Sequence, residues 1–513
     1  MKKLPIGIQS FEEIRDKKEN YVYVDKTRFA YELIISGKYY FLSRPRRFGK
    51  SLFLSTLNAI FEGKKDLFKG LYIYDKWNWR EKYPVIYLDF SEGVLNSEVL
   101  IIKYIHILLE VNQRKLEVDC KEKEVPFICF KELILKTYEK YKKKVVILVD
   151  EYDKPILDNI DNPQVAIFAK EELKKLYSVI KGADEYLKFV FLTGVSKFSK
   201  TSLFSGLNNL KDITLDPKYG NICGYTQQEL ERYFGEHLKD VDLEKVRAWY
   251  NGYNFLGDPL YNPFDILLFL DHPHKAFKSY WFETGTPSFL LKIIEKNNYF
   301  LPSLSNLVTE ETLLDTFDID NIKPEVLLFQ TGYLTIDKVE TTPYETLIYR
   351  LKFPNKEVKI AFNTHLIHYL FDDSQASVRR NELYKALSNA DFSLLQTFIT
   401  SLFASIPYTH YVKTNLERNE GFYATVLYVY MQSLGFEVIG EDVTNRGRVD
   451  LTVKLPEVIY IMEIKVGEGD PLEQIKTRKY YEKYLSEGKA IYLLGLRFDP
   501  MVKNLVEFKW ERV

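Results

Sequence analysis

The chain has 513 residues, more than one hydrophobic core usually serves, so about two to four domains are expected. Apolar residues make up 46% and aromatic residues 15% of the chain, which excludes a disordered polymer. Lys and Arg total 71 against 72 Asp and Glu, so the chain has no overall excess of positive charge that would indicate a nucleic-acid partner. Any nucleic acid would have to bind to a local basic patch.

The first part of the chain, to about residue 215, alternates apolar strands with helices. Four strands are predicted, at residues 38–43, 84–90, 145–150 and 187–194. A helix at 51–61 follows the first strand after a polar turn. Near-continuous apolar strands that alternate with helices indicate a buried parallel sheet, so residues 1–215 are assigned to an α/β domain.

The turn between the first strand and its helix has the ending of a phosphate-binding loop, Gly49-Lys50-Ser51. There the backbone N–H groups and the helix dipole meet phosphate oxygens, the lysine reaches the β and γ phosphates, and the serine hydroxyl ligates Mg²⁺. Arg44 stands where an ordinary P-loop has its first glycine. Arg46 and Arg47 add charge, and most of this cationic cluster is expected to serve nucleotide phosphates; a solvated basic face is the alternative.

The strand at 145–150 ends in adjacent carboxylates, Asp150 and Glu151, about 100 residues after the loop. This arrangement suits Asp150 as a ligand of Mg²⁺ and Glu151 as the group that activates the attacking water. Each motif alone is weak, but together and in this order they favour an ATP site. Ser196, at the end of the next strand, is a candidate sensor of the γ phosphate, with a simple strand-ending turn as the alternative.

Residues 216–405 read as amphipathic helices with aromatic-rich loops, at 249–253, 261–265 and 280–286. These rings are expected to serve core packing more often than base stacking. Residues 332–336 and 348–353 alternate like the strands of a hairpin between helices, which suggests a winged-helix-like module.

Residues 410–513 form the last predicted domain, with a helix at 416–434, strands at 436–439, 449–454 and 458–465, a helix at 472–484 and a strand at 490–494. Period-two geometry places Glu463 and Lys465 on one strand face. A hairpin turning near Pro456 then brings Asp450 beside Glu463.

Two carboxylates and a lysine that converge suit metal-assisted phosphodiester cleavage. In this interpretation Asp450 and Glu463 hold Mg²⁺, and Lys465 positions or deprotonates the attacking water. Glu420 in the preceding helix supplies a further carboxylate, and Gln474 orients a water or a metal ligand. A solvated Glu-x-Lys ion pair is the alternative, but the order of helix, two strands and helix favours function.

The N-terminal part resembles the AAA-ATPase-like family of bacterial proteins. The resemblance covers residues 1 to about 280 and is carried by Tyr23-Val-Asp-Lys-Thr27, Arg44-Pro-Arg-Arg-Phe-Gly-Lys-Ser51, Val149-Asp-Glu-Tyr-Asp-Lys-Pro155, Thr193-Gly-Val-Ser196 and Trp249-Tyr-Asn-Gly-Tyr253. It implies an additional-strand P-loop ATPase fold, an αβα sandwich, with Lys50, Ser51, Asp150 and Glu151 at nucleotide-site positions. Arg44 is part of this family's own loop motif.

The C-terminal part, from about residue 415, is similar to PD-(D/E)XK nuclease domains. The motifs that carry this similarity are Asn419-Glu-Gly-Phe-Tyr423, Gly447-Arg-Val-Asp-Leu451, Glu463-Ile-Lys465 and Gln474-Ile475 with Tyr480 and Tyr484. The similarity implies a restriction-endonuclease-like core in which five residues match nuclease positions: Glu420, Asp450, Glu463, Lys465 and Gln474.

Two functions follow as hypotheses. The first is an ATP-regulated or ATP-driven, Mg²⁺-dependent nuclease acting on DNA, or in second place RNA, in defence or mobile-element biology. The second is a regulatory or scaffolding ATPase whose last domain binds nucleic acid or protein without cutting. From residue 410 onward 15 Lys or Arg stand against 16 Asp or Glu, which leaves only a local groove for a phosphate backbone. The oligomeric state stays open, with a homo-oligomer among the options.

The cysteines and the N-terminus indicate the compartment. Cys120, Cys129 and Cys223 are odd in number, widely spread and without CxxC spacing, which argues against a disulfide framework and a structural zinc site. No apolar run follows the two N-terminal lysines, and the sequence has no stretch of about 18 uncharged apolar residues. We therefore expect a cytoplasmic protein that does not span a membrane.

Overall fold

The computed structural model describes residues 1–197, 203, 207, 209–281, 300–310, 323–371, 375–406 and 419–513. The chain divides into two compact units. The first comprises Met1–Trp281 with Glu310–Ile336, and the second comprises Phe282–Thr309 with Asp337–Val513. No helix within the described ranges is long and apolar enough to cross a bilayer.

The core of the first unit is a five-stranded sheet of order β2-β3-β4-β1-β5, with every neighbouring pair parallel. Its strands are β1 (Tyr39–Ser43), β2 (Val85–Asp89), β3 (Val145–Asp150), β4 (Leu187–Gly194) and β5 (Lys211–Asp212). The predicted buried parallel sheet is confirmed, and the two-residue edge strand β5 was not predicted. Because β4 lies between β1 and β3, one strand separates the phosphate loop from Asp150.

Seven helices accompany this sheet: α1 (Phe11–Arg15), α2 (Thr27–Ser36), α3 (Lys50–Phe61), α4 (Glu98–Leu116), α5 (Pro126–Tyr141), α6 (Lys154–Leu157) and α7 (Pro163–Gly182). Helices α3, α4 and α5 contact the strands directly. All six residues of β3 are buried, as a strand covered on both faces requires. The αβα sandwich is thereby formed.

The rest of the first unit is built around aromatic side chains. It contains β6 (Tyr225–Thr226), β7 (Asn251–Tyr253), β8 (Leu260–Tyr261), α8 (Gln227–Phe234), α9 (Leu243–Tyr250), α10 (Pro263–Asp271) and α11 (Pro324–Thr331). The rings of Tyr250, Tyr253 and Tyr261 are fully buried, so these loops supply core packing. Of the predicted loop at 280–286, residues 282–286 lie outside the described residues.

The predicted hairpin of the middle region exists, but its first strand starts later than predicted. A sheet of order β10-β11-β9 consists of β9 (Val308–Glu310), β10 (Thr335–Thr341) and β11 (Leu347–Lys352). Residues 332–334 do not belong to β10, because Gly332 has φ +90° and ends helix α11 in a left-handed cap. The helices that follow are α12 (Lys356–Phe371), α13 (Ala376–Ser388) and α14 (Phe392–Ser405).

The last part of the second unit is a mixed five-stranded sheet of order β12-β13-β14-β15-β16, parallel only between β14 and β15. Its elements are α15 (Glu420–Gln432), β12 (Glu437–Thr444), β13 (Gly447–Lys454), β14 (Val458–Val466), α16 (Pro471–Arg478), a 3-10 helix (Tyr480–Glu487), β15 (Ala490–Asp499) and β16 (Asn504–Arg512). Residues 416–418 of the predicted first helix lie outside the described residues. The predicted helix at 472–484 instead breaks at Lys479, whose φ is +52°.

Candidate active sites

The phosphate loop lies between β1 and α3, as predicted, and closes around the Lys50 ammonium. Gly49 has φ +93° and caps the helix, a conformation that glycine adopts without strain. Lys50 is buried, and its Nζ donates hydrogen bonds to the carbonyl oxygens of Arg44 at 2.9 Å and Pro45 at 3.1 Å. The loop thus holds its lysine at the N-terminal end of α3, where an anion would meet the helix dipole.

Arg44 points into the domain and away from the phosphate loop's solvent side. Its guanidinium is 1% exposed and donates to the carbonyl oxygens of Ser43 at 2.9 Å, Thr214 at 2.8 Å, Tyr219 at 3.2 Å and Gly220 at 3.4 Å. Burial lowers its pKa to about 10, so it stays charged at neutral pH. Arg44 was predicted to be among the charges that serve phosphate; in the structure it instead fixes the loop to the domain interior through these four carbonyl oxygens.

Arg46, Arg47 and Ser51 remain at the surface of the loop. Both arginines are exposed, and the Arg47 guanidinium lies over the Phe264 ring at 4.7 Å from its centroid. Arg47 also has φ +69°, so the loop uses left-handed backbone without a glycine there. Ser51 is the second residue of α3 and is half-buried. The two arginine side chains are therefore exposed to solvent on the loop, and Ser51 lies in the first turn of α3.

Asp150 lies at the end of β3 and is buried. Its Oδ1 accepts hydrogen bonds from the Thr193 hydroxyl at 2.6 Å and from the Glu151 backbone N–H at 3.0 Å. Burial raises the pKa of Asp150, an effect that the Ser51 and Thr193 hydroxyls and the Lys50 charge partly oppose. Thr193 was quoted in a motif but given no role; only the strand order, with β4 beside β3, reveals it.

Ser196 is buried, and its hydroxyl is held by a second carboxylate, that of Asp153. Asp153 is buried and accepts hydrogen bonds from the Ser196 hydroxyl at 2.5 Å and from the backbone N–H groups of Ser196 at 2.6 Å and Val195 at 3.1 Å. Glu151 itself is half-buried with φ +46°. Asp153 therefore ties the segment after β3 to the end of β4, a role that sequence analysis missed.

The residues present fit a nucleotide with its Mg²⁺. Asp150 Oδ2 is buried, and no donor among the described residues forms a hydrogen bond of standard geometry with it. An unsatisfied carboxylate oxygen at the end of a strand, close to a loop lysine and a serine hydroxyl, is a donor set that hard cations prefer. The arrangement therefore suits phosphate and cation together.

The second site lies on the sheet of the second unit, where β13 and β14 pair antiparallel. The register Leu451 to Met462 places Asp450 opposite Glu463, as the predicted hairpin requires. Asp450 Oδ2 accepts the Ile464 backbone N–H at 2.7 Å, which fixes the carboxylate against β14. The two acidic side chains are therefore neighbours on adjacent strands.

Lys465, Glu420 and Gln474 complete this group. The Lys465 Nζ lies 3.1 Å from Glu463 Oε1 and 3.5 Å from Glu420 Oε2. The Gln474 side-chain amide donates to the same Glu463 Oε1. All five residues that sequence analysis selected for this site therefore come together, with Glu463 at the centre and Asp450 opposite it.

The electrostatics of the pair are unusual for carboxylates. Burial, with repulsion from Asp450, raises the pKa of Glu463 to about 7, and burial likewise raises the pKa of Asp450 to about 6. Burial lowers the pKa of Lys465, but the Glu463 and Glu420 carboxylates outweigh it and leave this pKa above its ordinary value. The site thus holds more negative charge than its surroundings stabilise.

This excess fits a divalent cation. Glu463 Oε2 is buried without a hydrogen-bond partner among the described residues. Those residues contain no cluster of three or more acidic, His or Cys side chains arranged around one point. Two carboxylates suffice for Mg²⁺, which keeps several waters and takes its remaining ligands from substrate phosphates. Asp450 and Glu463 would be the ligands that hold it.

A second buried acid, Asp442 on β12, was not predicted. It accepts hydrogen bonds from the hydroxyls of Thr452 at 2.8 Å and Tyr484, and from Lys483 Nζ at 2.5 Å. Burial and the Asp442 charge raise the pKa of Tyr484 well above its ordinary value. Since every named contact is within the domain, this cluster anchors the 3-10 helix on the sheet beside the site.

Comparisons with known proteins match a family model to each of the two domains that carry these residues. Residues 5–204 match the family described as Predicted AAA-ATPase, and residues 418–508 match the PD-(D/E)XK nuclease superfamily. The chain is similar to an uncharacterized protein in the vnfD 5' region of Azotobacter chroococcum mcd 1. The two are 44% identical over 512 residues, which cover 99% of this chain and 98% of the relative. The similarity therefore includes both candidate sites and the region between them.

Proposed function

The chain belongs to the predicted AAA-ATPase family and ends in a PD-(D/E)XK nuclease superfamily domain, and on this premise we propose that it hydrolyses ATP and cuts DNA in a coupled way. RNA is the second choice of substrate, and defence or mobile-element biology is the setting that we favour. The observation that carries the proposal is the meeting of Asp450, Glu463 and Lys465 on two paired strands.

In the ATPase part, each residue has one task. Lys50 and the exposed Arg46 and Arg47 neutralise phosphate charge at the N-terminal end of α3. Asp150, held by Thr193, and Ser51 would hold Mg²⁺. The Glu151 carboxylate accepts the proton of the attacking water. This role suits its position directly after Asp150, the residue that would hold the metal.

In the nuclease part, Lys465 Nζ orients the attacking water, because it is already held between Glu463 and Glu420. Gln474 fixes Glu463 Oε1, so the free Oε2 keeps a defined direction. A bound Mg²⁺ would polarise the phosphate and stabilise the leaving oxygen. We infer that Asp450 and Glu463 together set where the phosphate lies.

The test uses the purified full chain with duplex and single-stranded DNA and RNA, with Mg²⁺ or Mn²⁺, and with and without ATP. We expect divalent-dependent cleavage that Asp450→Ala abolishes while ATP hydrolysis persists. Lys50→Ala should abolish nucleotide binding and leave the carboxylate site folded. Absence of cleavage under all these conditions, with ATP hydrolysis intact, would favour the second hypothesis, a regulatory or scaffolding ATPase.

A further inference from the structure

Five cations of the second unit lie on the turn between β12 and β13, at the start of β13, at the end of α16 and in the 3-10 helix that follows. All five side chains are exposed, and we call this group the cationic rim: Arg446, Arg448, Arg478, Lys479 and Lys483. In a segment whose total charge is balanced, such a group is the local patch that a polyanion needs.

The rim has a defined geometry. Arg478 Nη1 donates to the carbonyl oxygen of Arg446 at 3.2 Å, which fastens the end of α16 to the turn. Gly447, the first residue of β13, has φ +139°, and a Cβ there would lie 3.1 Å from the Tyr480 hydroxyl. The glycine therefore lets the chain at the start of β13 lie close against Tyr480.

The rim also adjoins the carboxylate site. Arg448 lies two residues before Asp450 on β13. Arg478 lies four residues after Gln474 on α16, so both side chains are on the same helix face. The rim therefore shares strand β13 with Asp450 and helix α16 with Gln474.

The acidic partners do not cancel the rim. Arg448 pairs with Glu441 at 2.7 Å, Glu482 lies 3.4 Å from Arg446 and 3.6 Å from Lys479, and Lys483 contacts Asp442. Arg478 has no ion pair with an acidic side chain in the described part of the chain. Five cations thus face three acids. The ion pairs of Arg446, Arg448 and Lys479 join exposed or half-buried side chains and contribute little to stability, so phosphates can replace those carboxylates; Lys483 instead keeps its contact to the buried Asp442.

We propose that the cationic rim binds the sugar-phosphate backbone of the strand that the carboxylate site acts on. This inference rests on the proposed function for its choice of partner. Each phosphate contact on duplex DNA makes binding about 8-fold tighter at ~0.1 M salt than at ~1 M salt, because the logarithm of affinity falls by about 0.9 per contact for each tenfold rise in salt.

The experiment measures binding without cleavage, by fluorescence anisotropy of labelled DNA and RNA with the full chain carrying Glu463→Gln. Adding Arg446→Ala with Arg478→Ala should weaken binding by about 60-fold at ~0.1 M salt and lower the salt slope by about 2. The matched control removes two exposed cations on other elements, Lys338→Ala with Lys385→Ala, and should change neither quantity.

The variant Arg446→Lys with Arg478→Lys keeps both charges and should restore most of the affinity, which separates charge from folding. Unchanged affinity and slope in the alanine variant would overturn the proposal, and so would failure of the full chain to bind either nucleic acid, which would point to an acidic protein partner. If the unmodified protein binds nucleic acid through the rim but never cuts it, the proposed nuclease function is wrong and the proposed binding role of the rim is retained.

Discussion

Replacing Glu463 by glutamine tests whether the buried negative charge of the second site, which a cation would neutralise, lowers the stability of the fold. The side chain is 3% exposed, and its pKa is raised from 4.5 to about 7. Each pKa unit corresponds to about 1.4 kcal/mol, so ionised Glu463 costs the fold roughly 3 kcal/mol. The amide has nearly the same shape and can still accept from Gln474, so it should remove this cost without a cavity.

The pH dependence follows from the direction of the shift. Because the folded protein holds the proton of Glu463 more tightly than the unfolded chain does, the cost is absent below about pH 4, grows as pH rises through 7, and is complete near pH 8. In EDTA, Glu463→Gln should therefore exceed the unmodified protein in free energy of unfolding by up to about 3 kcal/mol at pH 8. Near pH 4 the two should be equal.

Scanning calorimetry of the full chain suits this measurement, since it can resolve separate transitions of two units. At pH 8, added Mg²⁺ or Mn²⁺ should raise the transition temperature of the unmodified protein and leave that of Glu463→Gln unchanged. Glu468→Gln is the matched control, because Glu468 is exposed in the loop after β14. A Glu463→Gln protein that is less stable at pH 8, or a difference that does not change with pH, would refute the reasoning.

Three further predictions concern the phosphate loop and the lysine of the second site. Lys50→Ala should abolish binding of a fluorescent ATP analogue; unaltered affinity would contradict the P-loop assignment. Arg44→Gly should lower the melting temperature and weaken nucleotide binding, because it removes charged hydrogen bonds worth about 1.5–3 kcal/mol each. The control Arg46→Ala, at an exposed arginine, should leave the melting temperature unchanged. An Arg44→Gly protein as stable as the unmodified one would exclude the structural role of Arg44 in the loop. Lys465→Ala should remove divalent-dependent cleavage while ATP hydrolysis persists, and cleavage at the unmodified rate would exclude its role.

Much of the fold could be predicted because buried strands have a simple pattern. β3 and β4 have the predicted bounds, since their apolar runs are nearly continuous. β12 was predicted to end at residue 439, but it continues to Thr444 through Gly440 and through Glu441, whose φ is +48°. These two residues hide the strand from pattern analysis, and with it the buried acid Asp442.

The second site was predictable because its residues are close in sequence and period two fixes their faces. Glu463 and Lys465 share a strand, and Asp450 lies one hairpin away. The Asp153 contact to Ser196 was not predictable, because it joins the ends of two strands over 43 residues. The prediction that Ser196 senses the γ phosphate stays a prediction, and the structure adds that its hydroxyl donates to Asp153.

Arg44 shows the same limit within one loop. Three arginines within four residues look alike in sequence, and charge alone assigns all of them to phosphate. Arg44, however, directly follows the buried strand β1, so its side chain enters the interior, where the carbonyl oxygens of Thr214 and Tyr219 receive it. A loop that lacks the usual first glycine thereby gains a fixed attachment to a segment 170 residues away. The phosphate charge of this loop consequently rests on Lys50 and the two exposed arginines, and Arg44 determines where they stand.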